Sequence, residues 1–427
     1  MRLLAVAAAA PWPPDSALRA RTWNLLTRTA QEADVTLVTW SPPGAGGADR
    51  SEVDAALGGA FGRVILLPSQ VPGRGVGVRL WRRVRQWAGG HPGYAQEMLE
   101  ERGLHDRSAR DAFVDVVRAL HGAAPFDAVL LCEDEAACLP LPDLGVPVAI
   151  HRLNVFTRVV GDVMRRNPRW WPVWLAERHT WVRFDRATLV RADLAFTPTP
   201  ESADALRRVA PGTPVVALPN GEPFSDLGSI RPLTLPPSKG RDVVFVGWMG
   251  YAPNVDAVRW FTRRCWPSVL ARHPDAVLRI VGRDPSPPVR RLGRLPGVVV
   301  TGEVDDVSAA CEGARLGVVP LRAGMGIKTK TLELMAMGLP VVSTPVGAEG
   351  IPSPHPGLVV TPDRAAMVDA VVTLLGDADR ADRLGAAARR SMATGWSWDR
   401  TAAAHLAHLR ALIAPAAATV ATSEAGR

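Results

Sequence analysis

Residues 316–344 read LGVVPLRAGMGIKTKTLELMAMGLPVVST. Two short apolar runs, LGVVPL and PVVST, flank a glycine-bearing turn and a stretch with helical spacing, so the segment reads strand, loop, helix, strand. Strands this uniformly apolar, connected by a helix, belong to a parallel sheet covered on both faces. The chain holds three lysines, Lys239, Lys328 and Lys330, against forty-seven arginines. Two of the three stand one residue apart at the start of this helix.

The same alternation extends in both directions. Upstream, DVVFVG, a helical stretch NVDAVRWFTRRCWPSVLARH, AVLRIVG, GVVVTG and the helix DDVSAACEGA precede it. After residue 363 the pattern is almost entirely helical. The first half repeats the scheme with RLLAVA, DVTLVTW, RVILLP, FDAVLLC, VPVAI, ADLAFTP and PVVALP, with helices expected over 18–31, 108–121 and 173–191. The opening MRLLAVAAAAPWPP leads directly into a helix and a second strand, so residues 2–7 read as a first buried strand rather than a signal peptide. Between the halves lies PNGEPFSDLGSIRPLTLPPSKG, residues 219–240, whose Asn-Gly turn and prolines mark a linker. The expected organisation is an N-terminal Rossmann-like domain over 1–222, a linker over 223–240 and a C-terminal Rossmann-like domain over 241–395. A helix over 396–413 is expected to pack back toward the first domain, before a tail from 414 to 427. The fold class is α/β, two doubly wound halves with ligands at the carboxyl ends of their strands.

Within that frame the lysine stretch has a defined chemistry. Gly324 and Gly326 let the backbone pass close to a ligand, and a helix beginning near Ile327 aims free N–H groups and its positive dipole end at the same place. An anion is the natural occupant. Lys328 and Lys330 suit a diphosphate better than a planar carboxylate. Glu333 lies on the Lys330 face, about 4.5 Å further along the axis, where a carboxylate accepts from the paired hydroxyls of a ribose. The plain alternative is a solvated Lys–Glu pair. The first strand lacks a following glycine motif, and no Gly-Lys dipeptide occurs, which excludes a dinucleotide fingerprint there and a P-loop.

The totals are compatible with this. A chain of 427 residues with net charge +8 and scattered basic residues fits an enzyme for anionic substrates or a membrane-surface protein better than a nucleic-acid binder. Cys132, Cys138, Cys265 and Cys311 lack metal-ligand spacing and read as reduced thiols in a cytoplasmic protein. No apolar run approaches the roughly 18 residues of a membrane span.

The second half resembles the group 1 family of glycosyltransferases with the GT-B fold. VFVGWMGYAPNVDAVRWF, LRIVG, VVVTGEVDD, the lysine stretch through VGAEGI, and WSWDRT fall in the family's order over roughly 242–400. PWPPDSALRARTWNLL, and RADLAFTPTPESADALRR with VVALPNGE, resemble its N-terminal half more weakly. The resemblance implies retaining, metal-independent transfer of a sugar from a nucleoside-diphosphate donor, of UDP or GDP type, with no cofactor. It implies that Glu333 holds the ribose, that Gly324 and Gly326 flank the phosphates, and that Gly302 and Val304 meet the base. Met325 stands where many members carry a second glutamate, and GWMGYAPN lacks the Arg and Lys that many use to grip the diphosphate. Lys328 and Lys330 would replace those charges. Gly247, Asn254 and Ile327 complete the expected donor contacts.

In the first half, His151 ends the strand VPVAI and is a candidate catalytic residue, the alternative being a helix cap or structural histidine. Asp15 and Ser16, with Arg19, lie in the first loop, where they contact donor or cap the next helix. The Trp/Arg segments 78–87 and 165–184 read either as core tryptophans with solvated arginines or as an acceptor lid or membrane contact. The acceptor class is a natural product or an envelope glycan, with peripheral membrane contact as an option and no nucleic-acid partner. Competing readings are a GT-B-like nucleotide-sugar epimerase and an inactive polyanion- or membrane-binding protein.

Overall fold

The computed structural model describes residues 1–14, 17–40, 47–67, 107–153, 155, 171–221, 230–324, 326–352 and 354–414. The chain divides into two compact units, Met1–Leu218 with Thr401–Arg427, and Pro219–Arg400.

Unit 1 is built on a seven-stranded sheet of order β3-β2-β1-β4-β5-β6-β7. Its strands are β1 (Arg2–Ala7), β2 (Asp34–Trp40), β3 (Arg63–Leu67), β4 (Ala128–Leu131), β5 (Val148–His151), β6 (Leu194–Thr197) and β7 (Val215–Ala217). Every pairing is parallel. Leu3 to Ala7 are completely buried, as a strand with neighbours on both edges and helices on both faces must be. The helices are α1 (Ala17–Ala30), α2 (Gly47–Ala60), α3 (Arg107–Ala123), α4 (Trp171–Leu189) and α5 (Pro200–Val209). In α5 the Thr199 hydroxyl accepts from the Ser202 amide, and Pro200 occupies the first turn, where its missing N–H leaves no bond unmade.

Unit 2 carries a six-stranded parallel sheet of order β10-β9-β8-β11-β12-β13. Its strands are β8 (Asp242–Val246), β9 (Leu278–Val281), β10 (Val298–Gly302), β11 (Ala314–Val319), β12 (Val341–Ser343) and β13 (Leu358–Val360). The stretch from 254 to 273, a single helix by its periodicity, is three pieces: α6 (Ala252–Trp260), a π-helical turn over Phe261–Cys265, and α7 (Trp266–Leu270). Pro267 explains the break, because it has no N–H for the ladder and its ring crowds the carbonyl four residues earlier. Then follow α8 (Pro287–Arg290), α9 (Val307–Cys311), α10 (Thr329–Ala336), α11 (Arg364–Gly376) and α12 (Ala378–Gly395). Asp306, Asp363 and Asp377 cap α9, α11 and α12 with side-chain bonds to backbone amides three residues on.

From Thr401 onward the last helix, α13 (Trp398–Ile413), belongs to unit 1, where Arg410 pairs with Glu32 and His405 meets β5. The four cysteines carry free thiols. Among the described residues no helix is long and apolar enough to cross a membrane. Segment 78–87, residues 222–229 and the tail beyond 414 lie outside the described residues. Of the tryptophans in 165–184, only Trp181 has a described side chain. It is buried against Phe184, rings T-shaped at 5.5 Å.

Candidate functional site

The order of the second sheet reverses between β8 and β11, and a doubly wound sheet opens a crevice at such a switch point, outside the carboxyl ends of its strands. Two segments converge there. β8 is followed directly by Gly247 (φ 156°), and β11 runs into the loop that opens α10. Parallel pairing from Ala314↔Asp242 to Gly317↔Val244 makes the two strands neighbours in the sheet.

Gly247 has no room for a side chain. A Cβ there would lie 2.9 Å from both Asn254 Nδ2 and Lys330 Cε, so these two side chains meet over the glycine. Asn254 is buried and donates from Nδ2 to the Trp248 carbonyl at 2.8 Å, while its Oδ1 is buried without a partner. The Lys330 ammonium lies 5.9 Å from the centroid of the Phe245 ring. Burial lowers its pKa below the usual lysine value, with Glu333 acting in the opposite direction. Burial likewise raises the Glu333 pKa, and Lys330 partly restores it. A half-desolvated ammonium and a half-desolvated carboxylate thus share one face of α10, each holding charge that a ligand can stabilise.

Lys328 occupies the N-cap position of α10 in an extended conformation, φ −89° and ψ 97°. The helix therefore begins at Thr329, two residues later than its apolar pattern suggests. The reason is visible in the side chain, which turns back so that Nζ donates to the Gly326 carbonyl at 2.6 Å and approaches Glu349 Oε2 at 3.6 Å. Gly324 (φ 131°) and Gly326 (φ 68°) adopt conformations that side-chain-bearing residues avoid, and the Lys328 stem lies against Gly324. Neither lysine points freely into solvent: Lys328 is 8% exposed and Lys330 half-buried. The loop is braced by Arg322, which grips Asp256 on α6 with two hydrogen bonds, and α10 by the Thr331 hydroxyl on the Gly347 carbonyl. Ile327 and Val304 pack against the core of the unit.

Gly302 (φ 78°) ends β10, with open space where a Cβ would stand. Its carbonyl accepts from the Gly282 amide at 3.1 Å, and the Gly247 amide donates to Val281 at 3.0 Å. Three glycines therefore lie in a row across the ends of β8, β9 and β10.

His151 belongs to unit 1. It is buried, its Nε2 is 3.1 Å from His405 Nε2, and its ring is 5.0 Å from that of Phe196. Asp15, Ser16 and Met325 lie outside the described residues. Gly247, Asn254, Gly324, Gly326, Lys328, Lys330 and Glu333 come together in unit 2, and two strands away Gly302 ends β10, with Val304 in the loop that follows. Glu349 and the Arg322–Asp256 brace are not legible in the local pattern. Glu349 lies within VGAEGI, and only the adjacency of β11 and β12 brings it to Lys328. A cavity of about 250 Å³ in unit 1, bordered by Leu131, Leu141, Thr188 and Arg191, touches none of these residues.

Residues 240–377 match the family described as glycosyl transferases group 1. A GDP-mannose-dependent monoacylated alpha-(1-6)-phosphatidylinositol monomannoside mannosyltransferase of Corynebacterium glutamicum is 30% identical over 48% of this chain and 50% of its own length. A GDP-mannose-dependent alpha-(1-6)-phosphatidylinositol monomannoside mannosyltransferase of Mycobacterium tuberculosis is 38% identical over 32% of this chain and 40% of its own. The chain thus spans half or less of the curated relatives it matches. Among solved structures, sucrose-phosphate synthase from Thermosynechococcus elongatus superimposes with TM-score 0.64 at 16% identity, covering 97% of this chain and 99% of that one. Anabaena HepE in complex with UDP does so with TM-score 0.61 at 14% identity, covering 96% and 100%. Residues 240–377 are a group 1 glycosyltransferase domain, in a chain whose two parallel sheets make the GT-B fold.

Proposed function

We propose that the protein is a retaining, metal-independent glycosyltransferase that moves a sugar from a nucleoside-diphosphate donor to a small natural product or an envelope glycan. The observation that carries this reading is the pairing of Lys330 with Glu333 one turn apart, both desolvated, beside Gly247 at the switch point of the second sheet. The mannosyltransferase relatives use GDP-mannose by name and HepE was solved with UDP, which supports a nucleotide-sugar donor of one of these types.

In this reading the donor diphosphate lies at the N-terminus of α10. Lys328, Lys330 and the free amides of the first turn meet its charge, and Glu333 accepts from the ribose hydroxyls. The bond between the anomeric carbon and the phosphate oxygen breaks with its electron pair on the phosphate. The acceptor oxygen then bonds to that carbon on the same face and gives up its proton to the departing phosphate. Charge on the leaving group grows along this path, and fixed cations in a partly dry site stabilise it without reorganisation. His151 is proposed as a catalytic group and Asp15 and Ser16 as donor contacts, and peripheral membrane contact remains part of the proposal for a lipid-linked acceptor.

The test is a panel of UDP-, GDP-, ADP- and dTDP-sugars incubated with the purified chain and candidate acceptors. Acceptor-dependent release of nucleoside diphosphate is expected. Turnover without acceptor would mean an epimerase instead, and no turnover with no thermal stabilisation by any nucleoside diphosphate would remove the reading. A diphosphate at 100 times its Kd should add about 2.7 kcal/mol to stability.

A further inference from the structure

Next to the lysine site, the same sheet edge displays two large aromatic rings to solvent. Trp248 and Tyr251 are 49% and 47% exposed, with ring planes 10° apart and centroids separated by 6.5 Å. Apolar surface left in water forgoes the stabilisation that burial would bring, yet the loop is constructed to keep the indole where it is. Trp248 Nε1 donates to Asp284 Oδ2 at 2.9 Å, and the Arg283 guanidinium lies 5.8 Å from the ring centroid. The Met249 amide donates to the Arg283 carbonyl at 2.9 Å, tying the loop after β8 to the loop after β9. Gly250 makes room for the ring: a Cβ there would stand 2.7 Å from Nε1 and 2.9 Å from Cε2.

Asp284 has φ 53°, and among the described residues no other non-glycine residue has a positive φ. Aspartate is among the few side-chain-bearing residues that enter this region readily, and here the turn brings its carboxylate to the indole. The location is also specific. Arg283 and Asp284 follow directly on Gly282, whose amide binds the carbonyl of Gly302, and Gly302 borders open space.

We infer that Trp248, Arg283 and Asp284 form the subsite that reads the donor nucleobase, and that the base selected is guanine. This rests on the proposed nucleoside-diphosphate site at α10. The indole presents a face on which a base stacks. An ionised carboxylate only accepts hydrogen bonds, and a guanidinium only donates them. Guanine offers two adjacent donors, N1–H and the 2-amino group, followed around the ring by two adjacent acceptors, O6 and N7. Asp284 meets the first pair and Arg283 the second. Uracil presents one N–H between two carbonyls, which a carboxylate repels, and adenine presents a ring acceptor where guanine has N1–H.

The experiment is isothermal titration of the full chain, and of its Asp284→Asn and Trp248→Ala variants, with GDP, IDP, UDP and ADP. IDP is guanosine diphosphate without the 2-amino group. The wild-type chain should bind GDP at least tenfold more tightly than IDP, UDP or ADP. Asp284→Asn, which the left-handed conformation tolerates, should bring GDP to within about threefold of IDP and leave UDP unchanged. Trp248→Ala, at an exposed position, should weaken every nucleotide by about tenfold. Thermal melts without ligand confirm that both variants fold. Binding of UDP or ADP as tight as GDP, or an unchanged GDP-to-IDP ratio in Asp284→Asn, overturns this assignment while leaving the diphosphate site standing. Failure of all four nucleotides to bind the wild-type chain removes both.

Discussion

The ammonium of Lys328 lies 3.6 Å from the carboxylate of Glu349, with both side chains buried. The same nitrogen donates to the carbonyl of Gly326, so the lysine is held in place before any ligand arrives. A carboxylate at this distance lowers the positive potential that a diphosphate would meet, and it must be outcompeted on binding. Glu349 therefore sets a balance between holding the lysine and letting go of the product.

Replacing Glu349 with Gln should destabilise the ligand-free protein by roughly 1–3 kcal/mol, because a buried charge loses compensation. The same change should strengthen binding of a nucleoside diphosphate and enlarge its stabilising effect in thermal melts. Equal melting temperatures for variant and wild type, with equal ligand-induced shifts, would show that the pair has no such role.

Truncating Lys328 or Lys330 to Ala should weaken diphosphate binding by about 3 kcal/mol, roughly a hundredfold in Kd. The double variant should lose less than the sum, since the two groups act on one anion. Lys330 also makes the affinity pH-dependent. Burial lowers its pKa below 10.5, so in the free protein its charge is lost at lower pH than for an exposed lysine, and affinity falls as pH rises through that lowered value. Lys330→Arg keeps its charge there and should give a flatter profile. Calorimetry between pH 7 and 10 decides the point, and parallel profiles would assign the dependence to another group.

Much of the architecture was legible because strands buried on both faces are written as short apolar runs. RLLAVA and DVTLVTW became β1 and β2 within their predicted bounds. The Lys330–Glu333 relationship was legible too, because it is local and helical. The Lys328–Glu349 contact was not: the partners are 21 positions apart in the sequence, and their meeting depends on β12 lying beside β11. The start of α10 was misjudged for a related reason, since nothing in IKTK shows that Lys328 folds back onto its own loop. Likewise the break at Cys265 follows from Pro267 in a segment whose apolar spacing continues unbroken. The Asp284–Trp248 bond lies beyond any local pattern, as it joins loops after two different strands.

Glu333 should contribute chiefly through the ribose. A charge-assisted hydrogen bond is worth about 1.5–3 kcal/mol, so Glu333→Ala should weaken a nucleoside diphosphate by roughly 10- to 100-fold. A 2′,3′-dideoxy nucleotide should bind the wild-type chain as weakly, and removal of Glu333 should then add little. Independent, additive losses in this cycle would place the ribose elsewhere.

The His151–His405 pair makes a prediction about acid stability. The two Nε2 atoms are 3.1 Å apart, which requires one to donate and one to accept, so at least one ring is neutral. His405 also meets the Thr29 hydroxyl at 3.4 Å through Nδ1. Burial pulls the His405 pKa down to about 3, with Arg21 and His408 acting in the same direction. His151 is lowered well below 6.5 by burial, His405 and Arg21. Both folded-state values lie below the unfolded one, so the unfolded chain binds more protons in acid. Their stabilising contribution is present above about pH 6.5 and is lost as pH falls toward 3, at about 1.4 kcal/mol per pH unit for each histidine. His405→Gln retains a polar partner for His151 and removes one titrating group. Its stability, measured by urea unfolding of unit 1, should therefore fall with a visibly shallower slope than wild type between pH 6 and 4. Other acid-sensitive groups are common to both proteins and cancel in the difference. Identical slopes would mean that these imidazoles are not neutral in the fold, and that the contact between β5 and α13 tolerates a proton.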